Sequence, residues 1–158
     1  MLKRVWSAVL IIAMLLSSNY LSVFAQEESH VEQLECQVME WEVNNNLPSA
    51  RSTTFIDTTI TTGYDAEGMH VTIVTCMNNV ASLVGVKDIK IQVKNGNDWI
   101  TVAVSSGGEL YNTSACAVDI NYSGVVEGYT YRVTCVHYGN VDEYRELYHE
   151  TVGFKCQY

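Results

Sequence analysis

From Arg51 onward the chain is written almost entirely in period two, and that regularity restricts its fold more than any other feature. Seven short runs rich in Val, Ile, Thr and Tyr follow one another, at 54–62, 69–77, 87–94, 99–105, 116–122, 129–138 and 150–157. The stretches between them, 63–68, 78–85, 95–98, 105–114, 123–128 and 139–149, collect Gly, Asn, Asp and Ser. Alternation turns successive side chains to opposite faces of a sheet, so one face enters a core and the other meets water. β-Branched and aromatic residues suit such a pleated, half-buried surface, and the small polar residues between the runs supply turns. About seven strands at this spacing predict an all-β fold, an immunoglobulin-like antiparallel β-sandwich over residues 51–158.

The clearest local signal is the hairpin around Asn95-Gly96. Ile89, Ile91 and Val93 alternate with Lys90, Gln92 and Lys94, which separates a core face from a wet one. Asn-Gly tolerates the positive φ of a tight hairpin turn. Any even-length loop here sets Trp99 on the face of Lys94 and Gln92. Two readings follow: a Trp–Lys pair closing the sheet surface, which is the commoner outcome, or an aromatic platform for a sugar or peptide.

The N-terminal part reads differently. Lys3 and Arg4 precede an apolar run from Val9 to Leu16, and Val23-Phe24-Ala25 offers a peptidase site, so residues 1–25 read as a signal peptide cut after Ala25. The run is too short and interrupted to be a spanning helix. The expected location is therefore secreted, with no membrane anchor, since no later apolar span or lipid-attachment signal appears. Residues 26–50 read as an acidic arm or linker. Val31, Leu34, Val38 and Trp41 recur at helical steps, but a lone arm of this length forms helix only transiently.

Charge narrows the partners. The whole chain has 18 acids against 9 Lys and Arg, and two of those bases lie in the leader. Such a surface repels phosphate backbones and anionic lipid, so no nucleic acid partner is expected.

In the segment Val125-Val126-Glu127-Gly128-Tyr129-Thr130-Tyr131-Arg132-Val133, an apolar residue and a glycine precede a tyrosine that opens an alternating strand. This resembles the tyrosine corner of fibronectin type III and immunoglobulin-like domains. The resemblance implies that Val125 and Gly128 shape a turn to which the Tyr131 hydroxyl bonds back. Residues 51–158 as a whole resemble small exported proteins of Gram-positive anaerobes, through Arg51-Ser52 with Ile56 soon after, Ile89-Lys90-Ile91 leading to Asp98-Trp99, and Gly128-Tyr129-Thr130-Tyr131-Arg132-Val133. That resemblance implies fold and compartment only.

Five cysteines in an exported chain favour disulfides, and none is spaced as C-x-x-C. Alternation with Val118 and Ile120 puts Cys116 on the core face, and alternation with Tyr131 and Val133 does the same for Cys135, so Cys116–Cys135 is one expected bridge. Cys76 is out of phase with Val71 and Ile73 and faces outward, where an arm carrying Cys36 would reach it. Cys156 is then the unpaired thiol.

Little points to catalysis. His30, His70, His137 and His149 are scattered without a nucleophile motif, and His70 and His137 read as strand-surface residues. Asp142, Glu143, Glu146 and Glu150 crowd one stretch, but no calcium loop is present and Arg145 sits among them, so a solvated acidic loop is the expectation, with no metal or cofactor. The asparagines of Asn112-Thr113-Ser114 and Asn121-Tyr122-Ser123 match a glycosylation acceptor that matters only in a eukaryotic secretory host. Ten tyrosines exceed what the core needs. Tyr111, Tyr138, Tyr144 and Tyr148, with Trp99, are the candidate binding surface, because tyrosine gives contact area at low entropic cost. The expected function is a non-enzymatic exported binding domain for an extracellular protein or glycan. The alternative is a carbohydrate-binding or hydrolase-accessory module. Tyrosines confined to loop tips favour the former; a row of exposed aromatics on one face favours the latter.

Overall fold

The computed structural model describes residues 30–41 and 55–157, apart from the side chain of Ile56. The leader over 1–25 and the breaker cluster Asn44-Asn45-Asn46-Leu47-Pro48 lie outside the described residues.

The described chain is all-β and forms two sheets packed face to face. Its strands are β1 (Glu32–Gln33), β2 (Cys36–Glu40), β3 (Phe55–Asp65), β4 (Gly68–Ala81), β5 (Leu83–Asn95), β6 (Asp98–Leu110), β7 (Thr113–Tyr122), β8 (Thr130–Asn140), β9 (Tyr144–Glu150) and β10 (Phe154–Lys155). One sheet runs β2-β7-β4-β3; the other runs β1-β6-β5-β8-β10, with β9 also pairing β8. Apart from the two-residue parallel contact of β1 with β6, every pairing is antiparallel. Setting β1, β2 and β10 aside, β3-β4-β7 against β6-β5-β8-β9 is the three-on-four Greek-key order of an immunoglobulin-like sandwich.

The core follows from alternation. Met69, Val71 and Ile73 of β4 and Val118 and Ile120 of β7 meet Val84, Val86, Ile89 and Ile91 of β5 and Tyr131 and Val133 of β8, all essentially inaccessible to water. Burying a side chain of this size contributes roughly 1.5–3 kcal/mol, which makes this interdigitated layer the main source of stability. The Asn95-Gly96 hairpin closes through Gly96-Asn97, with Asn95 opposite Asp98 and φ at Gly96 of +59°. Lys94 then faces Trp99, as an even loop requires.

Three sequence expectations change. The 31–41 stretch is not helix or free linker: β1 and β2 extend the edges of both sheets, and Leu34, 7% exposed, crosses between them into the core. An open sheet edge offers a row of unpaired backbone groups, which a short arm fills more readily than it nucleates a helix. The region 139–149, read as a loop, contains β9, and the final strand shrinks to β10. β6 likewise runs on through Gly107-Gly108, where Val38 of β2 leaves no room for a side chain at Gly108.

The expected bridges are absent, and all five cysteines are free. Cys36 points to the core side of its sheet, its thiol donating to the Gly107 carbonyl at 3.1 Å. Cys76 packs on the opposite face of that sheet with Val74, Ala115 and Ala117, so Cys36 and Cys76 are separated by the sheet itself. Cys116 and Cys135 are both core residues, but β7 packs against β5 and β6 whereas β8 packs against β4. Cys156, fully buried, is free like the others.

Candidate binding face

The outer face of the β6-β5-β8-β9 sheet gathers most of the aromatic residues that the sequence singles out. Register places Glu109, Gly85, Tyr138 and Glu146 in one row across four strands, and Lys87, Val136 and Tyr148 in the next. Gly85 makes the first row work. A Cβ there would lie 2.8 Å from the Tyr138 ring, so only glycine lets that ring cross β5 toward β6. Having crossed, the Tyr138 hydroxyl donates to Glu109 Oε2 at 2.7 Å, and Tyr111 donates to the other oxygen of the same carboxylate. The two phenols, Tyr111 foremost, hold the Glu109 carboxyl below its usual range. Burial and the Glu109 contact push the Tyr138 phenol up.

Beside this row, Tyr138 and Tyr144 are tilted ring neighbours with centroids 6.0 Å apart. Lys87 sits against both rings, 5.5 and 5.8 Å from their centroids, donates to the Tyr144 hydroxyl at 3.3 Å and pairs with Glu146. Glu146, with Tyr144 after it, raises the Lys87 pKa, and Lys87 in turn lowers that of Glu146. Tyr144 donates to Glu146 at 2.8 Å and Tyr148 donates to Glu150 at 2.9 Å. In each case the acceptor lies two residues along the same strand. A tyrosine tethered over that short span lies along its strand rather than standing off the sheet. Tyr144 and Tyr148 remain 47% and 59% exposed, so ring surface is left open to solvent.

Glu150 also accepts from Arg132 Nη1 at 3.2 Å, and Arg132 Nε donates to Gln92 at 2.7 Å. Trp99 belongs to this far end. Lys94 Nζ lies 4.9 Å and the Arg132 guanidinium 4.6 Å from its ring centroid, the Trp–Lys pairing that closes a sheet surface. Lys94 and Gly85 are nine residues apart on β5, but Arg132 joins the two ends, lying against Trp99 and bonding the Glu150 carboxylate that also accepts from Tyr148. The structure thus brings Tyr111, Tyr138 and Tyr144 together round Glu109 and Lys87, and places Tyr148 and Trp99 on either side of the Arg132–Glu150 pair. Glu109, Glu146, Glu150, Lys87 and Arg132 complete the face. The sequence reading missed Glu109 and Lys87, although the i, i+2 spacing of Tyr with Glu in 144–150 is a readable sign once that stretch is taken as a strand.

From Tyr144 the acidic stretch is a strand rather than a solvated loop. β9 turns Glu146 and Glu150 toward Lys87 and Arg132, and Glu143 pairs with Arg145. Among the described residues no group of three or more His, Cys, Asp or Glu side chains is spaced to hold a metal ion.

Behind the face lies a buried histidine that the sequence reading placed on the surface. His137 is completely buried, continuing the core parity of Tyr131, Val133 and Cys135. Thr75 donates its hydroxyl to the Gly85 carbonyl at 3.2 Å, so the 2.7 Å contact assigns the His137 Nδ1 proton to Thr75 Oγ1. His137 Nε2 is left to accept from His149 Nδ1 at 3.1 Å. Burial and then His149 lower the His137 pKa to about 4, so the neutral ring is the resident form. This chain ties β9 to both sheets and fixes the strand that presents Tyr144 and Tyr148.

No family model, curated protein or solved structure matches the chain.

Proposed function

We propose that this chain is an exported, non-enzymatic binding domain whose ligand docks on the outer face of the β6-β5-β8-β9 sheet. One observation carries the reading: Tyr144 and Tyr148 lie in line on β9 with ring surface exposed and hydroxyls tethered to Glu146 and Glu150. Side chains already held in place lose little entropy on binding. The same row favours a glycan over a protein as the ligand. Tyrosine rings lying along a strand suit the apolar faces of sugar rings, while Glu146, Glu150, Lys87 and Arg132 offer acceptors and donors to hydroxyl groups. Trp99, with Lys94 and Arg132 over its ring, is not the platform of this reading. Export rests on the leader at 1–25.

Glycan-array and cell-binding measurements on the purified protein test this. Binding that falls at least tenfold in Tyr144→Ala and Tyr148→Ala, and survives Trp99→Phe, supports the reading. Glycan binding that is indifferent to both tyrosines overturns the site. Tyrosine-dependent binding to a protein partner alone overturns the ligand class.

A further inference from the structure

Strand β9 is held to the molecule unevenly. It lies between two fixed points, its turn from β8 at Asn140 and the clasp at Thr151. The Thr151 N–H donates to the Val133 carbonyl at 2.9 Å, and its hydroxyl accepts the Val133 N–H at 3.0 Å. Between these points every β9 residue is exposed except His149, which is half-buried. Glu146 and Glu150 reach Lys87 and Arg132, but both carboxylates stand largely in solvent, where such pairs add little. The tie from β9 into the core is His149 on His137.

That tie has a fixed proton capacity. His137 Nδ1 donates to Thr75, whose own hydroxyl proton goes to Gly85, so a further proton can enter His137 only at Nε2. His149 Nδ1 faces that nitrogen at 3.1 Å. A first proton added to the pair goes to the other ring nitrogen of His149 and leaves the bond intact. A second must go to His137 Nε2, and two N–H groups then meet head to head. The other titratable groups around His137 are Cys135 on its own strand, 3.5 Å from the same nitrogen, and Cys116 on β7, opposite Thr75 in register. Burial holds both thiols neutral, their pKa values pushed up to about 12, and a neutral thiol is a weak acceptor. β4 and β5 present Thr75 and the Gly85 carbonyl, which do not titrate.

We propose that this pair is an acid latch: the second proton releases β9 from β8 between Asn140 and Thr151 while the two-sheet sandwich stays folded. Opening puts His137 Nε2 in water, where it takes a proton at the ordinary 6.5, against about 4 in the closed form. The closed form is therefore favoured in full above pH about 6.5. Below that it loses about tenfold against the open form for each pH unit, down to about 4. Ligand release follows, because Tyr144 and Tyr148 leave with β9; that consequence rests on the proposed tyrosine face, whereas the release of the strand does not.

Hydrogen exchange of the ligand-free protein, followed by mass spectrometry from pH 7 to pH 4 and corrected for the intrinsic pH dependence of amide exchange, tests the latch independently of any glycan. The expected result is that amides of 144–150 lose their protection by pH 4 while those of 69–77 and 116–122 keep theirs, and that neutralisation restores it. His149→Gln should keep β9 closed to a pH lower by about one unit or more, because its side-chain amide can turn an oxygen toward protonated His137 and adds no second charge. Protection of 144–150 at pH 7 shows that this variant is folded. Persistence of wild-type β9 protection at pH 4, loss of protection in all three segments together, or an unchanged transition in folded His149→Gln overturns the inference.

Discussion

Tyr131 is a residue whose local sequence and packing agree. Its ring is 2% exposed, its hydroxyl accepts the Val126 N–H at 2.9 Å, and Gly128 takes φ of +83° between them. Tyr131→Phe should cost about 1 kcal/mol or more by urea denaturation, the scale of a lost hydrogen bond in a packed site; a neutral result would mean that the contact carries no stability. The thiols give a second test at this scale. Burial pushes Cys76 to about 11 and Cys116 and Cys135 to about 12, far from the thiolate needed for reaction. A thiol reagent at neutral pH should therefore modify at most the half-buried Cys36 in the native protein, and all five cysteines after unfolding. Rapid native modification of Cys135 would show that β8 opens readily. The corner was legible because it lies within seven residues; the free state of Cys36 and Cys76 was not, because it depends on which face of one sheet each occupies.

Among the elements, β6 and β9 depart furthest from their sequence reading. Glycine normally argues for a turn, yet Gly107 and Gly108 lie within β6 because other backbone must pass close to them. A Cβ on Gly107 would lie 2.0 Å from the Val86 carbonyl oxygen, at φ of +76°. Gly107→Ala should thus lower stability by about 1–3 kcal/mol from overpacking and backbone strain together, read as a reduced urea midpoint. β9 is hidden for another reason. Its pattern, exposed on nearly every residue, carries no alternation, since it is an edge strand wet on both sides. What makes it a strand is its pairing with β8 and the His149–His137 contact, both long-range relations that local periodicity does not encode.

For the whole molecule, the buried His137 predicts the pH dependence of folding. Its pKa is about 4 in the folded protein against 6.5 for a free histidine, so between those values the unfolded chain binds the extra proton. The contribution is complete above pH about 6.5 and is lost as pH falls toward about 4, amounting to ~3 kcal/mol. Urea midpoints should fall across that window, and His137→Gln should flatten the fall; an equally steep loss in that variant would assign it to other groups. On the proposed export, intact mass of the mature protein should begin at Gln26. The sequence by itself determined the all-β class, the core faces of β4, β5 and β7 and that of β8 as far as Cys135, the hairpin with its Trp99–Lys94 pair, and the tyrosine corner, because each follows from alternation or from neighbours a few residues apart. Only the tertiary structure decided that the 32–40 arm splits between two sheet edges, that Tyr138 crosses Gly85 to Glu109, and that His137 is buried between Thr75 and His149. Those relations join residues tens of positions apart, and register and sheet packing, rather than local preference, bring such residues into contact.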